Sequence, residues 1–391
     1  MPNSRVKLKD RMLNYAYEDK KHLLYWPESV RLKSTKPDAR GTMQYTMPGI
    51  KEDFIRSPIE HRYQDTFNKF FPSYDLDLNQ RGLIWFLKKG LLEAALNGTS
   101  DMLTWLGQGK DKAGRPSEIN QICMEIWTLR FQIFLNLRMH AQLLAELAAF
   151  EELDAPDLFY QYKTTDKTGS LVPFAMRLIH AEALRFSPFP WNSLIRIEAL
   201  QSHVEQIVNI FRLRNEPESY LNDWEKRLES VKYLYVRVLH GLGEYQISMT
   251  MLNKVREETK NNEEKTALSR ALMRMAMQAG DEKAMNIYAE EANKLSNGTN
   301  AMTVHKAMRS IFLGSNNHAN EYIARIPITD DQTPQYINTK ALIQLYTGRA
   351  VDAVKTITQI KPILPGPTTT NLRTIAELCY STAAKDELLI R

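Results

Sequence analysis

The chain has little cysteine and no long apolar run, and each shortage excludes a class of protein. Its 391 residues include only two cysteines, too few for a disulfide framework. Cys123 and Cys379 are therefore interpreted as reduced core thiols of a cytosolic protein. No apolar stretch approaches the roughly 20 residues that a membrane-spanning helix needs, and the first residues lack the apolar segment of a secretory signal. The sequence predicts a soluble protein without a signal peptide.

An excess of one charge is also absent from most of the chain. The net charge of +5 lies in residues 1–50, which hold ten Lys or Arg against five Asp or Glu, and the remainder carries 41 residues of each sign. A repeat protein that binds nucleic acid would carry a basic stripe along its repeats. No nucleic-acid partner is therefore predicted.

Residue patterns typical of catalysis are missing as well. The eight histidines are scattered without the paired spacing of a metal site. The sequence Gly241-Leu-Gly243 lacks the third glycine of a dinucleotide-binding turn and follows a helical pattern instead of a strand. Carboxylate pairs such as Glu151 and Glu152 fall at predicted helix ends. We predict no catalytic residue, no metal and no cofactor, so the chain is not expected to be an enzyme.

What the sequence does contain is a regular spacing of glycines between amphipathic segments. Gly243, Gly280, Gly314 and Gly348 stand 37, 34 and 34 residues apart, which is the period of a tetratricopeptide (TPR) array of helix hairpins. Glycine suits the turn between two helices because it adopts a left-handed conformation without penalty. One hairpin cannot bury its apolar face alone, so neighbouring hairpins are expected to stack.

Small residues recur where the second helix of each hairpin would press on the first. Ser248, Ala319 and Ala353 stand five residues after their glycines. After Gly280 that position holds Met285, and the small residue, Ala284, comes one place early. The same spacing indicates an earlier, degenerate hairpin over residues 118–150. In it Trp127 lies eleven residues before the turn position, where the repeat pattern favours tryptophan.

These patterns predict an all-α, TPR-like α-solenoid of antiparallel helix hairpins with an extended N-terminal arm. Residues 1–78 form the arm, which is irregular, basic and rich in aromatic residues, and which either packs on its own solenoid or docks on a partner. Residues 79–391 form the solenoid. Its predicted parts are the degenerate hairpin 118–150, less regular helices over 155–214, regular repeats over 218–361 and a capping helix over 370–382.

The less regular stretch carries the most specific motifs. Residues 157–162 read DLFYQY, residues 169–182 read GSLVPFAMRLIHAE, and Trp224 and Arg227 follow in a long helix. Together they resemble the subunit 12 family of the TRAPP (trafficking protein particle) complex. The residues that carry the resemblance are Asp157, Tyr160, Tyr162, Gly169, Pro173, Phe174, Met176, Arg177, His180, Glu182, Trp224 and Arg227. Arg177, His180 and Glu182 lie in an apolar helix pattern and either pair internally or contact a partner.

The resemblance implies a non-catalytic scaffold or adaptor subunit of TRAPP III, a tethering complex and guanine-nucleotide exchange factor for a Rab GTPase. The implied processes are ER-to-Golgi vesicle transport and autophagy. The expected partners are the large TRAPP III subunits or the small-subunit core, and indirectly the Rab GTPase. The chain is then expected in the cytoplasm, peripherally associated with the ER-Golgi intermediate compartment and Golgi membranes.

A second reading remains open, in which the chain is a free-standing TPR adaptor that binds peptide tails, as a co-chaperone does. Such an adaptor needs basic side chains on its inner helices around an acidic carboxyl terminus. Four basic residues could provide them, namely Arg270, Arg274, Lys306 and Arg309.

Overall fold

The fold is all-helical throughout the part of the chain that the structure describes. The computed structural model describes residues 21–36, 40–51, 80–89, 92–163, 167–295, 300–326, 334–360, 367–381 and 384. In these ranges the only extended pairing is two isolated bridges, Ile50 with Lys110 and Phe159 with Ser170. Of the predicted arm, residues 1–20, 37–39 and 52–78 lie outside the described residues.

Sixteen α-helices occur within the described ranges. The first eight are α1 (Val30–Ser34), α2 (Gln80–Lys89), α3 (Leu92–Trp105), α4 (Gln121–Leu137), α5 (His140–Leu147), α6 (Phe174–Ala183), α7 (Asn192–Leu213) and α8 (Glu218–Gly241). The second eight are α9 (Tyr245–Glu258), α10 (Asn262–Ala279), α11 (Glu282–Leu295), α12 (Asn300–Phe312), α13 (Asn316–Ala324), α14 (Pro334–Tyr346), α15 (Ala350–Ile357) and α16 (Pro367–Cys379). The helix α16 begins and ends three residues before the predicted capping helix.

The chain divides into two compact units, Met1–Val238 and Leu239–Arg391. The division falls within α8, at a position where the sequence suggested no boundary. The first unit contains the described arm and the motif stretch, and the second contains the regular hairpins. The limits of the arm and of the solenoid parts remain predictions from the sequence.

The core of the first unit is built around the degenerate hairpin α4–α5. Trp127 is fully buried, and its ring centroid lies 5.5 Å from that of Phe131 and 5.6 Å from that of Phe150. The indole Nε1 donates a hydrogen bond to Gln108 Oε1 at 2.7 Å, so the one polar atom of this large side chain is satisfied inside the core. Trp127 therefore stabilises the first unit and is not available to a ligand.

The second unit consists of consecutive helix hairpins whose turns contain the spaced glycines. The pairs α10–α11, α12–α13 and α14–α15 pack together, and the first helices of the last two hairpins also touch. All four glycines have positive φ, between 73° and 92°. In each turn the N–H of the following residue reaches the carbonyl four residues before the glycine, as Asp281 N does with Ala276 O at 2.9 Å. The all-α, TPR-like fold predicted from the spacing is confirmed.

The turn after α4 has the same geometry without a glycine. Arg138 adopts the left-handed conformation with φ of 58°, and Met139 N donates to Phe134 O at 2.9 Å. The left-handed conformation and hydrogen-bond pattern of the turn, and not the presence of glycine, therefore define the repeat. A residue with a Cβ has a strained backbone in this conformation.

The small residues five places after the turns lie in the core, with one exception. Ser248, Ala319 and Ala353 are fully buried. Ala284, the small residue that comes one place early, is half-buried, and Met285 at the fifth position is fully buried. One residue along a helix rotates the side chain by about 100°, so only the fifth residue points into the hairpin, and the flexible methionine fits there.

Candidate functional site

The motif residues of the first unit converge on the described part of the N-terminal arm. We call the receiving residues the arm clamp: Asp157, Tyr162, Gly169, Ser170, Arg177, Trp224 and Arg227. We call residues 22–26, which read HLLYW, the strap. The arm thus lies against its own helical body over the residues that the structure describes.

The clamp holds the strap mainly by its backbone. Three successive carbonyl oxygens each accept one hydrogen bond. His22 O accepts from Trp224 Nε1 at 3.0 Å, and Leu23 O accepts from Arg227 Nη1 at 2.8 Å. The third, Leu24 O, accepts from the backbone N of Ser170 at 2.9 Å. Donors on consecutive carbonyls fix both the register and the direction of the strap.

Gly169 allows the strap to approach the body closely. Its φ is 115°, a conformation that L side chains rarely adopt, and a Cβ built there would lie 2.2 Å from Leu24 O. A backbone atom cannot move aside as the end of a flexible side chain can. Glycine is therefore required at this position both for its conformation and for space.

The aromatic side chains of the strap contact cationic and aromatic groups of the body. The Arg177 guanidinium lies 3.7 Å from the centroid of the Trp26 ring, and its Nη2 donates to Ser170 Oγ at 2.7 Å. The ring of Tyr25 lies 5.3 Å from that of Phe211. Such cation–π and aromatic contacts each contribute about 0.5–2 kcal/mol. Arg177, left open between internal pairing and partner contact, therefore pairs internally.

The beginning of the strap is fixed by an imidazole. The His22 ring stacks on Tyr220 with centroids 3.9 Å apart and planes 8° apart. Its Nε2 lies 3.0 Å from Asp223 Oδ2. The stacking, the hydrogen bond and the carbonyl contact together hold His22 on the first turns of α8.

A second part of the arm, residues 43–46, is held by the DLFYQY motif. The Asp157 carboxylate is 1% exposed and accepts hydrogen bonds from Tyr45 N, Thr46 N and Thr46 Oγ1 at 2.9, 2.7 and 2.8 Å. The Tyr162 hydroxyl donates to Met43 O at 2.6 Å. Burial raises the pKa of Tyr162, so its phenol stays protonated and keeps this donor.

The remaining motif residues shape α6 and its surroundings. Burial lowers the pKa of His180 to about 4, and its Nε2 lies 2.7 Å from Glu151 O. Because a carbonyl oxygen can only accept, Nε2 carries a proton. Glu182 pairs with Arg185 at 3.0 Å and also with Arg237. His180 and Glu182 thus pair within the chain, like Arg177.

The other motif residues complete the packing around the clamp. Pro173 precedes the first turn of α6, Phe174 and Met176 are buried in that helix, and the Tyr160 hydroxyl donates to Gln121 Oε1 at 3.0 Å. The Arg227 guanidinium lies 4.4 Å from the Trp224 ring centroid. These contacts orient the two side chains that donate to the strap.

Sequence reasoning missed the strap itself as a site. Its aromatic residues predicted only that the arm packs on its own solenoid or docks on a partner. Thr46, Ser170 and Asp223 were not among the predicted site residues. The signal that could have identified the strap was its concentration of ring side chains, since two of its five residues are Tyr25 and Trp26.

The second unit contains a separate cavity of about 110 Å³. Its lining includes Arg270, Lys306 and Arg309, three of the four basic residues predicted for a peptide-tail site, together with Glu290. Burial lowers the pKa of Arg270, and its Nη2 is buried with no hydrogen-bond partner in the part of the chain that the structure describes. Arg274 is exposed and is not part of the lining.

Two findings concern the described residues as a whole. None of the helices there combines the length and the hydropathy needed to cross a membrane. Among the same residues, no group of three His, Cys, Asp or Glu side chains could hold a metal ion.

The helix hairpins, their left-handed turns and the buried small residues define a TPR-like helical-repeat protein. In sequence the chain is similar to "Trafficking protein particle complex subunit 12" from Homo sapiens, 25% identical over 283 residues that cover 67% of this chain and 38% of the relative. It is similar to the Mus musculus protein of the same name, 24% identical over 341 residues, 79% of this chain and 42% of the relative. The resemblance inferred from the motifs is thus confirmed.

The chain spans about two-fifths of the length of the curated relatives it matches. No protein-family model matches it. A crystal structure of a tetratricopeptide repeat protein from Parabacteroides merdae is similar with a TM-score of 0.37 and 11% identity, over 79% of this chain and 95% of that one.

Proposed function

We propose that the chain is a non-catalytic scaffold subunit of a trafficking protein particle complex, and that it acts by binding other subunits. The observation that carries this proposal is the similarity to subunit 12 from two mammals over most of this chain. The helical-repeat fold supports it, because stacked hairpins present extended surfaces suited to protein partners.

The resemblance to the subunit 12 family also supports a proposal about the form of the complex, its partners and its location. We place the chain in the TRAPP III form of the complex, which acts on a Rab GTPase in ER-to-Golgi transport and autophagy. Its partners there are the large subunits or the small-subunit core. It works on the cytoplasmic side of Golgi and intermediate-compartment membranes, held by its partners.

Exposed apolar side chains around the start of α7 support a partner surface in the first unit. Phe189, Trp191 and Ile195 are 71%, 51% and 66% exposed, within seven residues of sequence. Aromatic residues left in water in this way are typical of sites that other proteins cover. We propose that this stretch contacts another TRAPP subunit.

Gentle affinity purification of the tagged full chain, followed by mass spectrometry, tests the proposal. We expect the other TRAPP subunits to co-purify, and the Trp191→Asp variant to recover at least roughly tenfold less of them, since truncating a central interface aromatic costs about 2 kcal/mol or more. Leu213→Asp, at the exposed far end of the same helix, is the matched control. Absence of every TRAPP subunit from the wild-type sample would refute the proposal.

The second candidate function, capture of an acidic peptide tail, is favoured by the cavity in the second unit. Arg270, Lys306 and Arg309 would meet a carboxylate there, and the buried Nη2 of Arg270 has no hydrogen-bond partner among the described residues. A terminal carboxylate would neutralise this group through a charge-assisted hydrogen bond.

Titration with a peptide that ends in acidic residues distinguishes the two functions. An adaptor is expected to bind it with micromolar affinity, and Arg270→Ala to weaken binding by roughly tenfold, in line with about 1.5–3 kcal/mol for a hydrogen bond to a charged group. Arg274→Ala, which changes a neighbouring arginine outside the cavity, is the control. If the peptide shows no saturable binding and TRAPP subunits co-purify, the adaptor function is excluded and the scaffold function is supported.

A further inference from the structure

The strap contacts the body as a peptide ligand does and not as a core segment does. Its residues belong to the short 3-10 helix Lys21–Leu23 and to the irregular stretch that follows, and the side chains of residues 22–26 are half-buried. Further along the arm, Leu32 is fully buried and Ile50 is 2% exposed. The described arm is therefore anchored in the core at these two residues. The strap side chains Leu24 and Trp26 pack only against the edge of that core, so the strap can leave without removing a fully buried side chain.

The main contacts of the strap are independent of its side chains. The donors Trp224 Nε1, Arg227 Nη1 and Ser170 N all meet backbone carbonyls. A peptide that follows the same path, one 3-10 turn and then an irregular stretch, presents the same three acceptors, and recognition of a main chain gives affinity in many peptide-binding proteins. The clamp can thus accept a second segment of similar shape.

Specificity comes from the two aromatic residues of the strap. Trp26 contacts the Arg177 guanidinium at 3.7 Å and stacks on His203 with centroids 5.8 Å apart. Tyr25 lies against Phe211, with the Arg214 guanidinium 5.7 Å from its ring centroid. Both places prefer a planar, electron-rich ring. The pair of adjacent aromatic residues distinguishes a ligand from any other segment with the same main-chain path.

We propose that the arm clamp is a peptide-binding site for a short segment that begins with a 3-10 turn and ends in two adjacent aromatic residues. The strap occupies it as an intramolecular ligand, and the same segment supplied as a separate peptide binds there once the strap is weakened. Tethering gives the strap an effective concentration in the millimolar range, so the intact strap excludes a free peptide. This inference does not rest on membership of a trafficking complex.

The experiment uses the full chain and a fluorescein-labelled synthetic peptide that corresponds to residues 21–28. In the receiving protein, Tyr25→Ala and Trp26→Ala weaken the strap while the clamp stays intact. Fluorescence anisotropy is expected to show saturable, micromolar binding to this double variant and at least roughly tenfold weaker binding to the wild type. Comparable binding to both proteins, or to neither, would overturn the proposal.

Two further arms locate the bound peptide. Adding Arg177→Ala to the double variant is expected to weaken peptide binding by roughly tenfold. The substitution removes the guanidinium that contacts the tryptophan ring of the peptide and that donates to Ser170. Lys226→Ala, an exposed residue beside Arg227 on the same helix, is expected to leave binding unchanged. Equal effects of the two substitutions would place the peptide elsewhere and refute the assignment to the clamp.

A measurement on the wild-type chain covers the case in which the double variant does not fold. The same peptide with a photoreactive benzophenone in place of the Trp26 ring is added at about 1 mM, comparable with the effective concentration of the strap. Crosslinks to the segments around Arg177 and His203 are expected, and excess unlabelled peptide should suppress them. Crosslinks elsewhere, or none that the unlabelled peptide suppresses, would contradict the proposal.

Discussion

Thr46 donates two hydrogen bonds to the Asp157 carboxylate, from its backbone N at 2.7 Å and from its Oγ1 at 2.8 Å. The backbone N of Tyr45 supplies a third at 2.9 Å. The acceptor is buried, and these residues are separated by 111 and 112 positions in the sequence. A carboxylate with three donors fixes this part of the arm much as a cap residue fixes the start of a helix.

Replacing this carboxylate should loosen the arm. In Asp157→Asn the two backbone donors lose a charged acceptor, and the Thr46 hydroxyl must turn to accept from the new NH₂ group, so we expect a loss of about 1–3 kcal/mol in the free energy of unfolding. Urea unfolding followed by circular dichroism measures it. Glu229→Gln makes the same chemical change on an exposed part of α8 and should alter stability by less than about 0.5 kcal/mol. Equal midpoints for the two variants would show that the Asp157 contacts carry no stability.

The two kinds of hairpin turn give a paired prediction. Arg138→Gly removes a Cβ from a residue with φ of 58°, and relief of the strain should raise the free energy of unfolding by about 1 kcal/mol. Gly280→Ala introduces the same strain and should lower it by a similar amount, since nothing lies within 4 Å of the added Cβ. Thermal unfolding measures both. Changes of the same sign in the two variants would contradict the assignment of a shared turn geometry.

The fold could be predicted from sequence because its determinants are local and periodic. A left-handed turn favours glycine, and a residue five places later enters the hairpin core, so both recur at the repeat length. Met285 and Arg138 depart from the pattern for a physical reason. A flexible thioether can fill the position that alanine occupies in the other hairpins, and arginine can adopt the left-handed conformation at a modest cost in backbone strain.

The site could not be predicted in the same way because its partners are far apart in the chain. Trp224 and His22 are separated by 202 residues, and Arg227 and Leu23 by 204. No local pattern links such pairs. The motifs identified the body side of the clamp without showing that its ligand is a segment of the same chain.

A buried ion pair in the first unit gives a third prediction. Arg130 donates from Nε and Nη2 to the two oxygens of Glu146 at 2.6 and 2.7 Å, and both side chains are almost fully buried. Burial raises the pKa of Glu146 against the influence of Arg130. Glu146→Ala leaves a buried cation without its partner and should cost about 3–5 kcal/mol in the free energy of unfolding.

The double variant Arg130→Met, Glu146→Leu separates the loss of a partner from the net value of the pair. Apolar residues of similar volume remove both desolvation costs, so the double variant should be more stable than Glu146→Ala alone by about 2 kcal/mol or more. Chemical unfolding of the three proteins measures the difference. A double variant less stable than the single one would show that Arg130 stabilises the fold through its other acceptors, Leu96 O, Thr99 Oγ1 and Ser100 Oγ.

The neutral imidazole of His180 makes stability depend on pH. Its pKa is about 4 in the folded chain, lowered from 6.5 by burial first and then by the charge of Arg196. Between these two values the unfolded chain binds a proton that the folded chain does not, so stability falls as the pH falls from about 6.5 to 4. The contribution of this group alone should decrease by about 2 kcal/mol between pH 7 and pH 5. His180→Gln keeps a donor for Glu151 O but cannot titrate, so unfolding free energies of the two proteins at both values isolate the histidine. The same pH dependence in both would mean that His180 becomes protonated without opening the fold.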